Sequence, residues 1–169
     1  SNDEIEEALI KRAATAPETA RQLAAITEGN YREALHLLQH ADEDWQALLR
    51  DWLKFIIRRM LTEQINWIDE ISKTGREKQK QLLRYFNHTI EQAIRLRILG
   101  DEKVSMLDNE KDFVQRLNKI ANVSQMQAII EEIDKASYYI ERNANAKMLF
   151  MALTLKLYHI IQNKVLVEA

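Results

Sequence analysis

At 169 residues the chain is long enough to bury a substantial core, roughly two thirds of the surface its unfolded form would expose. It has no cysteine, which excludes disulfides and thiolate metal sites, and His36, His40, His88 and His159 fall in no compact metal-ligand spacing. With 24 basic against 26 acidic side chains and a net charge of -2, the balance argues against a strongly basic nucleic-acid binder while leaving room for a local patch.

Three glycines and one proline leave few breakers in a chain dominated by Ala, Leu, Glu, Gln, Lys and Arg, so helix is the consistent local state throughout. The Ser1-Asn2 start, with neither an initiator methionine nor a signal pattern, reads as a processed tag on an excised domain. An opening helix is predicted from about Asp3 to Ala13, and Thr15-Ala16-Pro17-Glu18 reads as a restart with proline in the first turn. Leu23 and Ile26 give a narrow apolar face before Gly29. Asn30 is a predicted cap for a short helix from Tyr31, with Glu33 as its reciprocal partner and Ala34, Leu35 and Leu38 facing a neighbour.

Asp42 reads as the cap of a third region, in which Trp45, Leu49, Trp52, Ile56 and Met60 form a long apolar stripe. A break or bend at Thr62-Glu63-Gln64 divides it from Ile65, Ile68 and Ile71. Thr74-Gly75 is clearer punctuation: the next helix runs from Arg76 to Leu99, burying Leu82, Leu83, Phe86, Ile90, Ile94 and Ile98 before Gly100 releases it. Asp101 to Leu107 is a predicted loop, and Asn109 with Asp112 resembles a capping pair for a short helix around Phe113 and Leu117. After Asn122, the spacing of Met126, Ile129, Ile130, Ile133 and Ala136 predicts a helix towards Ile140. Asn145 caps the last one, which contains Leu149, Leu153, Leu157 and Ile160.

The expected architecture is all-α: a small helical domain over residues 1–41, then an irregular antiparallel helical bundle over 42–169. No apolar run is long enough to span a membrane; the richest, Met148 to Ile161, is interrupted by Lys156. No phosphate-binding glycine loop, Walker-type lysine or acidic metal site is present, and acidic pairs such as Glu6-Glu7 and Glu131-Glu132 follow surface helical patterns. No residue is assigned a catalytic or metal-binding role.

Three segments carry a resemblance: Gly29 to Leu35, Arg76-Glu77-Lys78-Gln79-Lys80 with the following Tyr85, and Ile140-Glu141-Arg142-Asn143-Ala144-Asn145. In order along the chain, they resemble the small helical lid of clamp-loader AAA+ proteins followed by the collar-type C-terminal domain of bacterial DNA polymerase III delta-prime subunits, with gamma/tau subunits next. The resemblance implies a lid in which Gly29, Asn30 and Ala34 belong to the motif and Arg32 matches the second sensor arginine. An arginine in a first helical turn is suited to reach a phosphate. It implies no cofactor for the fragment, with ATP and magnesium serving the assembled clamp loader. The implied partners are other clamp-loader subunits through the collar, and the sliding clamp and primed DNA through the whole complex, in the cytoplasm.

Candidate interface residues are Trp45, Trp52, Tyr138, Tyr139 and Tyr158, large rings that also serve bundle cores. Tyr138 and Tyr139, adjacent on one helix, cannot both face a single core. Arg76, Lys78, Lys80 and Arg84 are candidate phosphate contacts, weighed against an ordinary solvated or salt-bridged face, and Arg95 with Arg97 is less specific still. A stand-alone helical protein-interaction adaptor is the expectation from a different class.

Overall fold

The computed structural model describes the backbone of residues 31–162 and the side chains of residues 44–162. The expected opening helix, the Pro17 restart, the Leu23 and Ile26 face, Gly29 and the Asn30 cap lie outside the described residues, as do the side chains of Arg32 and Ala34. The chain divides into two compact units, Ser1–Leu48 and Leu49–Ala169.

The described residues are all-helical, with no strand among them. The order is α1 (Tyr31–Ile57), α2 (Leu61–Ser72), α3 (Arg76–Leu99), a 3-10 turn (Asp101–Lys103), α4 (Asp108–Ile120), α5 (Val123–Glu141) and α6 (Ala146–Gln162). Gly75 and Gly100 flank α3 with φ of 91° and 83°, backbone that L residues adopt only under strain, so its ends fall where glycine allows them. Asp42 does not cap a helix. It lies inside the continuous α1, because an aspartate without a neighbouring glycine or proline lowers helix propensity by only a few tenths of a kcal/mol, about 0.5, and does not stop propagation.

The divide after α1 falls before the expected Thr62-Glu63-Gln64, which sits in the first turn of α2. Met60 N–H donates to Phe55 O (2.9 Å) and Arg59 N–H to Ile56 O (3.2 Å), with Arg59 at φ 57°. This is a Schellman closure made without glycine. A second one ends α5: Ala144 N–H donates to Tyr139 O (3.0 Å) and Asn143 N–H to Ile140 O (3.1 Å), with Asn143 at φ 61°.

At the centre is Trp52 of α1, fully buried. Its indole stacks on Trp67 of α2 with centroids 4.4 Å apart and planes 9° off parallel, and meets Phe86 of α3 and Phe150 of α6 edge-on, each at 5.9 Å. Its Nε1–H donates to Thr154 Oγ1 of α6 at 3.0 Å. One side chain therefore joins its own helix to three others, and its polar atom is satisfied inside the core.

Around this cluster, Leu49, Leu53 and Ile56 of α1, Ile68 and Ile71 of α2, Leu82, Leu83 and Ile90 of α3, and Leu153, Leu157 and Ile161 of α6 are buried. On α3 the buried positions near the C-terminus are Ala93 and Leu96, whereas Ile94 is half-buried and Ile98 is 68% exposed. Steps of three and four residues from Leu82 and Phe86 reach 89, 90, 93 and 96. Ile98 is two residues past Leu96, about 200° round the helix. Of the final-helix positions, Leu149 and Ile160 are half-buried, and Phe150 and Thr154 take the innermost places.

Helix order is fixed by polar contacts along the seams. Arg76 donates to Asn143 Oδ1 (2.8 Å), Lys80 pairs with Glu141 (3.2 Å) and Asn87 donates to Asp134 (2.9 Å), so α3 and α5 run antiparallel. Lys156 pairs with Glu132 (3.2 Å), and Gln125 Nε2 donates to Ile160 O and Ile161 O (2.9 and 3.1 Å), giving the same sense for α5 and α6. Val104 is buried after the 3-10 turn, so the predicted loop docks at that point. Asn109 and Asp112 do not form the predicted capping pair: α4 starts at Asp108 after Leu107, with no side-chain cap bond, and Asn109 Oδ1 accepts from the adjacent Glu110 N–H (2.9 Å). Asp108 and Glu110 instead place acidic charge against the free amides of its first turn. Asn145 is the cap expected for α6, accepting from Met148 N–H at 3.0 Å.

Several C-termini are closed by an amide side chain from elsewhere in the fold. Gln64 Nε2 donates to Phe55 O at the end of α1 (2.8 Å), the buried Gln79 to Ile71 O at the end of α2 (3.1 Å), and Gln125 to the last turn of α6. Helix ends carry orphan carbonyls, and these glutamines satisfy some of them.

Two stability changes follow. Thr154→Val keeps the shape of the side chain and orphans the buried indole N–H, and is expected to lower unfolding free energy by about 1–3 kcal/mol in urea denaturation. Arg59→Gly removes the positive-φ strain and is expected to raise it by about 1 kcal/mol, most fully in a Tyr158→Leu background where no Arg59–ring contact is lost.

Candidate functional site

The expected interface residues do not gather in one place. Trp52 is the core of the bundle and presents no surface to a partner. Its periodic spacing with Leu49 and Ile56 is the reason, since all three lie on the inward stripe of α1. Trp45 is half-buried, and Tyr138 and Tyr139 are each about half exposed on the outer side of α5, their rings edge-on at 5.4 Å. The Arg142 guanidinium lies 3.4 Å from the Tyr138 ring centroid and donates to Tyr138 O (3.0 Å). Tyr158 is half-buried on α6, with Arg59 over its ring at 5.1 Å.

The phosphate candidates separate as well. Arg76, Lys80 and Arg84 recur every four residues on one flank of α3, but Lys78, two residues from Arg76, lies about 200° round. Arg76 is engaged by Asn143, and Lys80 by Glu141 and, at 3.8 Å, by Glu77. Arg97 donates to Asn118 O on α4. Arg76 and Lys80 thus hold α3 to α5, and Arg97 holds α3 to α4.

A surface that the candidate residues did not mark runs along α2 and α6. Lys147 pairs with Asp69 at 2.9 Å, and Arg59, just before α2, covers Tyr158; the two helices are therefore antiparallel with a fixed register. One turn from the ion pair, Ile65 and Met151 come level, and a further turn on, Leu61 and Leu155 do. These four side chains are 52%, 50%, 68% and 58% exposed, and Met148, beside Lys147, is 70% exposed. The result is an apolar ridge across two helices, capped by an ion pair at one end and the Arg59–Tyr158 contact at the other. Such clustering marks association surfaces, in contrast to singly scattered apolar residues.

The sequence signal for this ridge was the excess of apolar residues on the last helix. Leu153 and Leu157 take the inward face, and Met148, Met151 and Leu155 fall outside it, so a single buried stripe does not account for all of them.

Among the described residues no group of three or more His, Cys, Asp or Glu is arranged to hold a metal ion. The cavity lined by Leu53, Phe86, Leu117, Met126 and Ile161 has a volume of about 10 Å³ and an apolar wall, too small and too dry for a ligand. No helix of the described residues is long and apolar enough to cross a membrane. Comparison with protein-family models, with curated proteins and with solved structures finds no match.

A ridge outside the core makes a direct prediction for stability. Leu155→Glu is expected to change unfolding free energy by no more than about 0.5 kcal/mol, whereas Leu153→Ala, two residues earlier on the inward face, lowers it by about 2–5 kcal/mol. Chemical denaturation of the two variants measures the contrast.

Proposed function

We propose that this chain is the lid and collar region of a bacterial DNA polymerase III clamp-loader subunit of the delta-prime type. In this reading it is a non-catalytic assembly element of the cytoplasmic replication machinery. Its bundle packs beside those of companion subunits, and ATP with magnesium in the assembled loader drives placement of the sliding clamp on primed DNA. The apolar ridge of Leu61, Ile65, Met148, Met151 and Leu155 is the observation that carries the assembly role. It gives a rigid, two-helix surface with apolar contact area in the middle and charge at its ends, the composition of an interface core and rim.

The resemblance supports the family. Two of its three segments meet in the fold, where Arg76 and Lys80 at the start of α3 hold Asn143 and Glu141 at the α5–α6 turn. Those residues therefore have a structural reason to occur together, as the joint that sets three helices of the bundle. The gamma/tau type shares this reasoning.

The test is association with purified companion clamp-loader subunits, read as complex mass. The chain is expected to join the complex, and Met151→Asp with Leu155→Asp to weaken that association about tenfold or more while leaving the helical circular dichroism unchanged. Absence of association at concentrations where the chain is folded, or association indifferent to the ridge substitutions, would count against the proposal.

A further inference from the structure

A separate surface lies on the C-terminal half of α1. Arg50, Lys54 and Arg58 follow one another at intervals of four residues, so they share the solvent side of the helix in a row with about 6 Å between successive Cα positions. Arg59 follows at the corner, and all four are exposed. Leu49, Trp52, Leu53 and Ile56 occupy the inward face of the same stretch, so the fold does not draw on the three cations for packing.

Among the described residues none of the four forms an ion pair; the same holds for Lys78, Arg84, Arg95 and Lys103, and the row differs from these in setting three such cations at successive four-residue steps along one face. Lys54 lies 5.9 Å from the Phe55 ring, a loose contact with its own neighbour, and Arg59 covers Tyr158. The exposed acidic side chain of this stretch is Asp51, which makes no ion pair with any of them. From residue 49 to residue 59 the stretch therefore carries four positive charges and one negative, in a chain whose net charge is -2. Like charges four apart on a helix destabilise it by about 0.2–0.5 kcal/mol per pair. The row works against the helix that bears it.

We propose that this row binds the sugar–phosphate backbone of a nucleic acid strand. The geometry favours that ligand over a scattered acidic surface: the cations are collinear, evenly spaced at a distance of the same order as successive phosphates, and two of the three are arginines, which pair with phosphate oxygens bidentately. The contact reads charge and not sequence, so binding is strongly salt-dependent. Arg59, held to Tyr158, lies just past the Arg58 end of the row. The site uses none of the ridge residues of α2 and α6, and it stands or falls independently of the assembly role.

The experiment is a fluorescence-anisotropy titration of the full 169-residue chain with labelled oligothymidylate and, separately, a random-sequence duplex, at 50, 100 and 200 mM salt. Wild type is expected to bind at least one of them with affinity falling as salt rises. The triple variant Arg50→Gln, Lys54→Gln, Arg58→Gln is expected to lose about tenfold or more at 50 mM and to flatten the log–log salt slope by about 2. The control pair Arg95→Gln and Lys103→Gln, exposed cations elsewhere, is expected to bind as wild type does. Circular dichroism of each variant confirms folding, and should the triple variant fail to fold, the single Lys54→Gln change is read instead, with a slope reduction of about 0.7. The proposal is overturned by no salt-dependent binding to either strand form, by a triple variant that binds like wild type, or by equal losses in the control. A polyglutamate peptide that binds the row more tightly than either oligonucleotide would also overturn it, assigning the row to an acidic protein.

Discussion

The bundle depends on where one indole goes. Trp52 is the side chain through which α1, α2, α3 and α6 all meet, and its interactions are of two kinds. The ring faces supply contact area that tolerates some sliding. The N–H bond to Thr154 does not, because a buried donor displaced from its acceptor has no water to turn to. The aromatic cluster thus provides attraction among the four helices, and the hydrogen bond selects one register of α6 against α1. With that register set, Lys147 reaches Asp69, Arg59 reaches Tyr158, and the outward residues of α2 and α6 fall level to form the ridge.

Much of the helical order could be read from the residues themselves. Gly75 and Gly100 bound α3 where they were expected to, Asn145 opens α6, and the core spacing of α5 runs through Met126, Ile129, Ile133 and Ala136. What could not be read was how helices end without glycine. Gln64, Gln79 and Gln125 look like ordinary helix-surface residues, and their partners are carbonyls that only the tertiary fold brings near. Asp42 failed as a cap for the converse reason: a residue type suited to a helix start does not create one while the flanking residues favour continuation.

The candidate site was harder to see because it depends on phase more than on composition. Ile65, Ile68 and Ile71 are spaced by three, and each such step drifts about 60° round the helix, so Ile65 faces outward although Ile71 is buried. The ridge also needs the register between two helices far apart in sequence, which no local pattern contains. The cation row of α1 is different. It shares its four-residue spacing with Arg76, Lys80 and Arg84 of α3, and differs in that, among the described residues, no other helix engages its members, whereas Asn143 holds Arg76 and Glu141 holds Lys80. The two surfaces adjoin at the corner between α1 and α2, where Arg58 ends the row and Arg59 closes the ridge.

Gln125 has an effect on local opening that its burial alone does not suggest. Its backbone N–H and side-chain oxygen complete the reciprocal cap with Asn122, and its side-chain nitrogen donates to Ile160 O and Ile161 O in the last turn of α6. Helix ends ordinarily fray one by one, each with its own small free energy. Here the first turn of α5 and the last turn of α6 share a side chain, so neither can open without breaking a bond of the other. In amide hydrogen exchange the two termini should behave as one cooperative unit, and a pull on the end of α6 would loosen the beginning of α5, far earlier in the chain.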